Sequence, residues 1–75
     1  MILVNVFKWR VLVNRPVKVE VEMYKMKGVG YFFWLYYNGK VVKGLQYYGE
    51  DEPCSYRDLQ EVVPWNCWWL FENAL

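Results

Sequence analysis

Regular alternation of apolar and polar side chains predicts two paired β-strands in the first third of the chain. In the stretch VKVEVEMYK, Val17, Val19, Val21 and Met23 alternate with charged residues and a tyrosine. This period-two pattern is typical of a strand with one buried and one solvated face. The preceding stretch FKWRVLV alternates in the same way, and the residues between the two stretches, Asn14-Arg15-Pro16, favour a turn. Together these patterns predict a first hairpin.

The alternation changes phase near the amino terminus. Ile2, Val4 and Val6 have the opposite parity to Phe7 and Trp9. A β-bulge near Val6 and Phe7 would reconcile the two patterns, because one extra residue shifts every later side chain to the other face. Burial of both faces at this end of the strand would explain the pattern equally well.

A second hairpin is predicted around the stretch YFFWLYYNGKVV, which spans residues 31–42. Asn38-Gly39 is a strong signal for a two-residue type I′ turn, because both central residues of that turn need a positive φ. The turn places Tyr37 opposite Lys40 and predicts a ladder that continues to Phe32 opposite Leu45. The first of these strands is apolar on both faces, so its own pattern does not indicate which face is buried.

The predicted register divides the second hairpin into two faces. The face with Trp34 is assigned to the core; it also carries Phe32, Tyr36, Val41, Lys43, Leu45 and Tyr47. The other face mixes tyrosines with a lysine, a glutamine and a glycine, which is the composition of a binding surface. A shift in register would exchange the two faces. The candidate binding residues are Tyr31, Phe33, Tyr37, Lys40, Gln46 and Tyr48.

The last third of the chain predicts a short helix and a segment of ambiguous structure. Ser55-Tyr56-Arg57-Asp58 resembles a capping box, apolar residues follow at helical spacing, and Pro64 ends the segment. Residues 65–75 would form either a fifth strand, which their aromatic content favours, or an apolar helix. The predicted fold is α+β: a four- to five-stranded, mainly antiparallel sheet of two successive hairpins with one short helix near residues 55–63. We expect a single compact domain over residues 1–75.

Composition adds a surplus of aromatic rings and a segregation of charge. The 75 residues include five Trp, seven Tyr and four Phe; a domain this small has few fully interior positions, so some rings are expected to be exposed or covered by another chain. Residues 1–49 contain eight Lys or Arg and two Glu, whereas residues 50–75 contain one Arg and six Asp or Glu. The two parts either neutralise each other in the fold or face charged partners.

The chain lacks the residue patterns of catalytic, cofactor and metal sites. Histidine is absent, which removes the commonest general base and the usual nucleophile pairs. The acidic run at residues 50–52 lacks the alternate spacing of a calcium loop, and Gly28-Val29-Gly30 lacks the third glycine of a dinucleotide site. Cys54 and Cys67 cannot complete a four-ligand zinc site alone, and they form either a disulfide or two free thiols. The expectation is therefore a protein that is not an enzyme and needs no cofactor or metal.

Binding is the function class that these exclusions leave. The leading hypothesis is a small inhibitor or adaptor, of the size that viruses and mobile elements often encode. It would dock its aromatic sheet face on a partner protein or on a second copy of itself. The alternative is a single-stranded nucleic-acid-binding module that stacks bases on the rings and holds phosphates with Lys and Arg. A third interpretation is that the carboxyl-terminal segment covers this face and every ring is core. No membrane span or signal peptide is evident, so an intracellular, cytoplasmic location is expected.

Overall fold

A computed structural model of the protein describes residues 1–13, 15–55, 57–59 and 62. These residues contain four strands, β1 (Ile2–Val13), β2 (Arg15–Met26), β3 (Gly30–Tyr37) and β4 (Lys40–Gly49). They form one antiparallel sheet in the order β1-β2-β3-β4. Each strand pairs with the strand that precedes or follows it in the sequence, so both predicted hairpins are confirmed.

The phase change in β1 is resolved by a bulge. The register between β1 and β2 shifts between Leu3 and Asn5, which leaves Val4 as the extra residue. The bulge therefore lies two residues before the position predicted from the pattern. From Asn5 onwards the pairing with β2 is regular, with Trp9 opposite Val19.

The turn between β3 and β4 has the predicted conformation. Asn38 and Gly39 both have positive φ, at 50° and 81°. Asn38 also connects this turn to β2: its backbone N–H donates to the Lys18 carbonyl at 2.8 Å, and its Oδ1 accepts from the Lys18 N–H at 2.9 Å. The turn residue therefore extends the pairing of β2 with β3 beyond the end of the ladder.

The buried face of the sheet is the opposite of the one assigned from the second hairpin. We call it the inner face; its buried residues are Val17, Val19, Val21, Met23, Phe33, Leu35 and Tyr37. The assignment of Phe32, Trp34 and Tyr36 to the core was wrong. Pairing with β2 decides the matter, because the odd-numbered residues of β3 lie opposite the valines of β2 and paired residues share a face.

The predicted ladder between β3 and β4 was correct for only its first two pairs. Tyr37 pairs with Lys40 and Tyr36 with Val41, but the register then shifts, and Phe32 pairs with Tyr47 instead of Leu45. Three irregularities interrupt this ladder. A turn signal defines only the pairs beside it, since each bulge adds a residue that the turn does not encode.

The segment after β4 crosses the inner face and adds one residue to the core. Leu59 is completely buried there, and Val62 packs beside it. Asp58 Oδ2 accepts hydrogen bonds from the backbone N–H groups of Cys54 and Ser55 at 2.8 and 3.2 Å. The second bond is one half of the predicted capping box, but the residues described here form turns and bends. The predicted helix near residues 55–63 is therefore not confirmed, and residues 65–75 lie outside the described part.

Candidate binding surface on the outer face

The six residues predicted to bind a partner do not form one open surface. Phe33 and Tyr37 belong to the core, with exposures of 3% and 1%. Tyr31 and Tyr48 are half-buried against that core. Only Lys40 and Gln46, both on β4, are exposed. The predicted surface must therefore be corrected, because the face that carries it also carries the valines of β2 and packs against Leu59.

The two half-buried tyrosines of that set already contact other parts of the chain. The Lys25 ammonium lies 5.8 Å from the centroid of the Tyr31 ring, within the range of a cation–π contact. The Tyr48 hydroxyl donates to the Asp58 carbonyl at 3.1 Å and so links β4 to the segment that crosses the inner face. Both rings thus act within the fold.

The other side of the sheet, which we call the outer face, carries the rings that remain partly open. Cross-strand pairs share a face, and neighbouring rows lie two residues apart along the regular strands β2 and β3, or roughly 7 Å. From one end of the sheet to the other, the rows are Leu3, Tyr24, Phe32 and Tyr47; Val6, Glu22 and Trp34; Lys8, Glu20, Tyr36 and Val41; Arg10 and Lys18. The outer face is therefore aromatic at one end and basic at the other.

The first of these rows, which we call the aromatic row, crosses all four strands. Its central rings are half-buried, whereas Leu3 and Tyr47 at its two ends are about half exposed. The Phe32 and Tyr47 rings meet edge to face, with centroids 5.4 Å apart and planes at 70°, a favoured aromatic geometry. The row thus presents a continuous apolar strip with defined ring orientations.

Glu22 organises the centre of the outer face. Its Oε1 accepts hydrogen bonds from the Tyr36 hydroxyl at 2.6 Å and from the Tyr24 hydroxyl at 3.1 Å. The bond to Glu22, together with burial and the charges nearby, raises the pKa of Tyr36 to about 12. Burial, then the bond to Glu22 and its charge, also raises the pKa of Tyr24. Both hydroxyls therefore remain protonated donors at neutral pH.

Trp34 lies beside this network and over a glycine. A Cβ added to Gly44 would lie 3.4 Å from the Trp34 ring, an ordinary van der Waals distance, so the indole packs closely against β4 at this glycine. Trp34 is half-buried in this position. The indole is thus supported by the neighbouring strand.

Two cations face each other at the opposite end of the outer face. Arg10 pairs with Lys18 across β1 and β2, and neither forms an ion pair with a described residue. Like charges placed directly opposite each other are destabilising. The next cation, Lys8, lies 3.6 Å from Glu20. A hollow of about 690 Å³ lies beside these residues and reaches the Asn38-Gly39 turn, so an anionic group could approach them.

Other parts of the described chain offer no competing chemical site. The acidic run at residues 50–52 borders a second hollow together with Arg57 and Asp58. Among the described residues, no group of three or more His, Cys, Asp or Glu side chains is placed to hold a metal ion. Cys54 is exposed, and Cys67 lies outside the described residues. The described part of the chain contains no helix that is long and apolar enough to span a membrane.

Comparisons with protein-family models, with curated proteins and with solved structures found no match to this chain. Any proposal about its function therefore depends on the geometry of its own residues.

Proposed function

We propose that this chain is a small non-enzymatic binding domain, of the inhibitor or adaptor type, that docks its outer face on a partner protein. The observation that carries the proposal is the aromatic row, which places Leu3, Tyr24, Phe32 and Tyr47 side by side on a face with two exposed ends. Large amphipathic rings of this kind dominate the binding energy of protein interfaces.

The outer face has a size that suits a protein partner. The described chain measures 41 × 20 × 17 Å, so a face of its length and width offers roughly 800 Å², about what each partner buries in a standard interface. Among the described residues outside the sheet, Leu59 and Val62 pack on the inner face. Within the described part of the chain, the outer face is thus the broader surface left for a partner.

Its rings are also held in place before binding. Tyr24 and Tyr36 are both tied to Glu22, and Trp34 lies against Gly44. A side chain that is already ordered loses less conformational entropy when a partner binds. Preorganisation of this kind favours a surface that functions by contact.

The experiment has two stages. A photo-crosslinking amino acid at position 47 of the full chain first identifies the protein that covers the aromatic row in a lysate of the source cells. Binding of the purified partner is then measured by calorimetry for the wild type and for Tyr47→Ala. We expect the dissociation constant to rise about thirtyfold, the effect of losing an interface anchor worth about 2 kcal/mol.

Val29→Ala is the matched control, because Val29 is also half exposed but lies in the turn between β2 and β3. It should leave the dissociation constant unchanged. Equal effects of the two substitutions, or no effect of Tyr47→Ala, would contradict docking through the outer face.

Single-stranded nucleic acid is the second candidate partner, and the Arg10–Lys18 pair favours it. Two cations that form no ion pair with a described residue and lie beside a hollow suit a phosphate, and the aromatic row on the same face offers rings on which bases stack. The two features are separated by three rows, or roughly 20 Å. One single-stranded nucleic acid could therefore contact both the cation pair and the aromatic row.

Fluorescence anisotropy with labelled single-stranded oligonucleotides at several salt concentrations tests this alternative. Arg10→Glu should weaken binding and make the logarithmic salt dependence shallower by about one unit. Lys27→Glu, in the exposed turn after β2, is the control and should change both quantities little. An affinity that does not change with salt concentration, or that changes equally on the two charge reversals, would exclude nucleic-acid binding through this cation pair.

A further inference from the structure

The two edge strands of the sheet, β1 and β4, differ in how readily another strand could pair with them. Among the described residues, β1 and β4 are the outermost strands, so each has a row of backbone N–H and C=O groups on its outward side. Ten large apolar residues are exposed in the described chain, and five of them fall within the first six positions. Those five are Met1, Ile2, Leu3, Val4 and Val6.

The β4 edge has the features that normally prevent strands from joining. Its pairing with β3 is interrupted by three register irregularities, which twist a strand away from a flat template. Lys40 and Lys43 are exposed along it. Irregular pairing and lysines are the devices by which natural sheets block association at an edge.

The β1 edge is built differently. It is twelve residues long, and from Asn5 to Val13 its pairing with β2 has no break. Its charged residues, Lys8 and Arg10, lie in its second half, whereas its first half carries four exposed aliphatic residues, Ile2, Leu3, Val4 and Val6. The β1 edge has a single bulge, at Val4, and from Asn5 to Val13 it offers an unbroken template for another strand.

We infer that two copies of this chain associate through their β1 strands, paired antiparallel about a two-fold axis, to form a continuous eight-stranded sheet. This inference does not depend on what the outer face binds. The strand that pairs with β1 is the β1 strand of a second copy, because a two-fold axis makes this edge complementary to itself. The positions of the charged residues in β1 also select one register.

The register follows from Lys8 and Arg10. An axis at Lys8 would place two Lys8 side chains opposite each other, and an axis at Trp9 would oppose Lys8 to Arg10. An axis near Val6 or Phe7 sets each cation opposite the apolar start of the other strand, where no like charge meets it. It also brings together the partly buried Phe7 rings on the inner face, so the two cores become continuous.

Analytical ultracentrifugation of the full chain tests this interface. The wild type should sediment as a species of roughly 18 kDa, twice the 9.2 kDa of one chain. Val6→Lys introduces a cation that would face either the same substituted position or Lys8 in the second copy. It should raise the dimer dissociation constant about tenfold or more, since like charges opposed across strands repel.

Val41→Lys is the matched control. Val6 and Val41 are 36% and 54% exposed and lie on the two opposite edge strands of the same outer face. Val41→Lys should therefore leave the dimer intact, and circular dichroism of both variants verifies that the sheet is folded. A wild type that stays monomeric at high micromolar concentration would overturn the inference. So would a dimer that Val41→Lys disrupts as strongly as Val6→Lys.

Discussion

Truncation of Leu59 to alanine tests whether the segment after β4 closes the inner face. Leu59 is 0% exposed and is the described core residue that comes from outside the sheet. Its truncation removes three carbon groups, which is roughly 2.4 kcal/mol of transfer free energy at about 0.8 kcal/mol each. The cavity left behind adds to this loss, and comparable truncations cost about 2–5 kcal/mol. We expect the free energy of unfolding to fall by about 3 kcal/mol.

Thermal and urea unfolding followed by circular dichroism measure this loss. In a domain of this size, each kcal/mol lowers Tm by about 4–8 °C, so the midpoint should fall by about 12–24 °C. Leu12→Ala is the control, because it removes the same three carbons from a side chain that is 79% exposed. Its free energy of unfolding should change by less than about 0.5 kcal/mol.

Equal effects of the two truncations would refute the assignment of the inner face as closed. The tyrosines on that face, including Tyr31 and Tyr48, would then again be candidates for contact with a partner. A large loss for Leu59→Ala alone would mean that the inner face is core, which leaves the outer face as the candidate binding surface.

Two further predictions concern the Glu22 network and the start of β3. Glu22→Gln should lower the pKa of Tyr36 from about 12 towards its ordinary 10.0, as measured by ultraviolet titration of the tyrosines. Because the pKa of Tyr36 is raised in the folded state, the stability that the Tyr36–Glu22 bond contributes should be fully present below about pH 10 in the wild type and lost as the pH rises through 12. Identical alkaline unfolding of the wild type and Glu22→Gln would contradict this prediction. Gly30→Ala should lower the free energy of unfolding by about 1–3 kcal/mol, roughly the cost of a strained backbone. Gly30 has φ +141°, and an added Cβ would lie 2.6 Å from the Gly49 carbonyl oxygen. Gly49→Ala, whose Cβ would meet nothing within 4 Å, is the control in the same denaturation assay, and an equal loss for both would rule out the proposed strain.

The local patterns of this sequence were sufficient to predict its strands and turns. Alternation in β2 identifies a strand with one buried face, because successive side chains of a strand point to opposite sides. Asn38-Gly39 identifies a tight turn, because both positions need positive φ. Each of these signals is contained within a few neighbouring residues. The pairings of β1 with β2 and of β3 with β4 followed from them, since a short turn joins each pair; the pairing of β2 with β3 was not predicted.

The choice of the buried face was decided only by the tertiary structure. The β3 strand is apolar on both sides, so its own pattern is compatible with either choice. The decision comes from its pairing with the valines of β2 and from Leu59, which packs on the same side. The alternation in β2 could have identified the buried face of β3, but only through the pairing of β2 with β3 across the turn at residues 27–29. The hairpin of β3 and β4 was instead interpreted alone.

The candidate binding surface was likewise predicted only in part from the sequence. The surplus of aromatic residues in the composition predicts that some rings remain open, but not which ones. The Glu22 network joins side chains that are fourteen positions apart, and the aromatic row takes one residue from each of the four strands. The sequence by itself therefore determined the strands, the turns and the excess of rings, which depend on neighbouring residues. Only the tertiary structure decided which rings face outward, because that depends on the long-range pairing of strands and on the bulges that shift it.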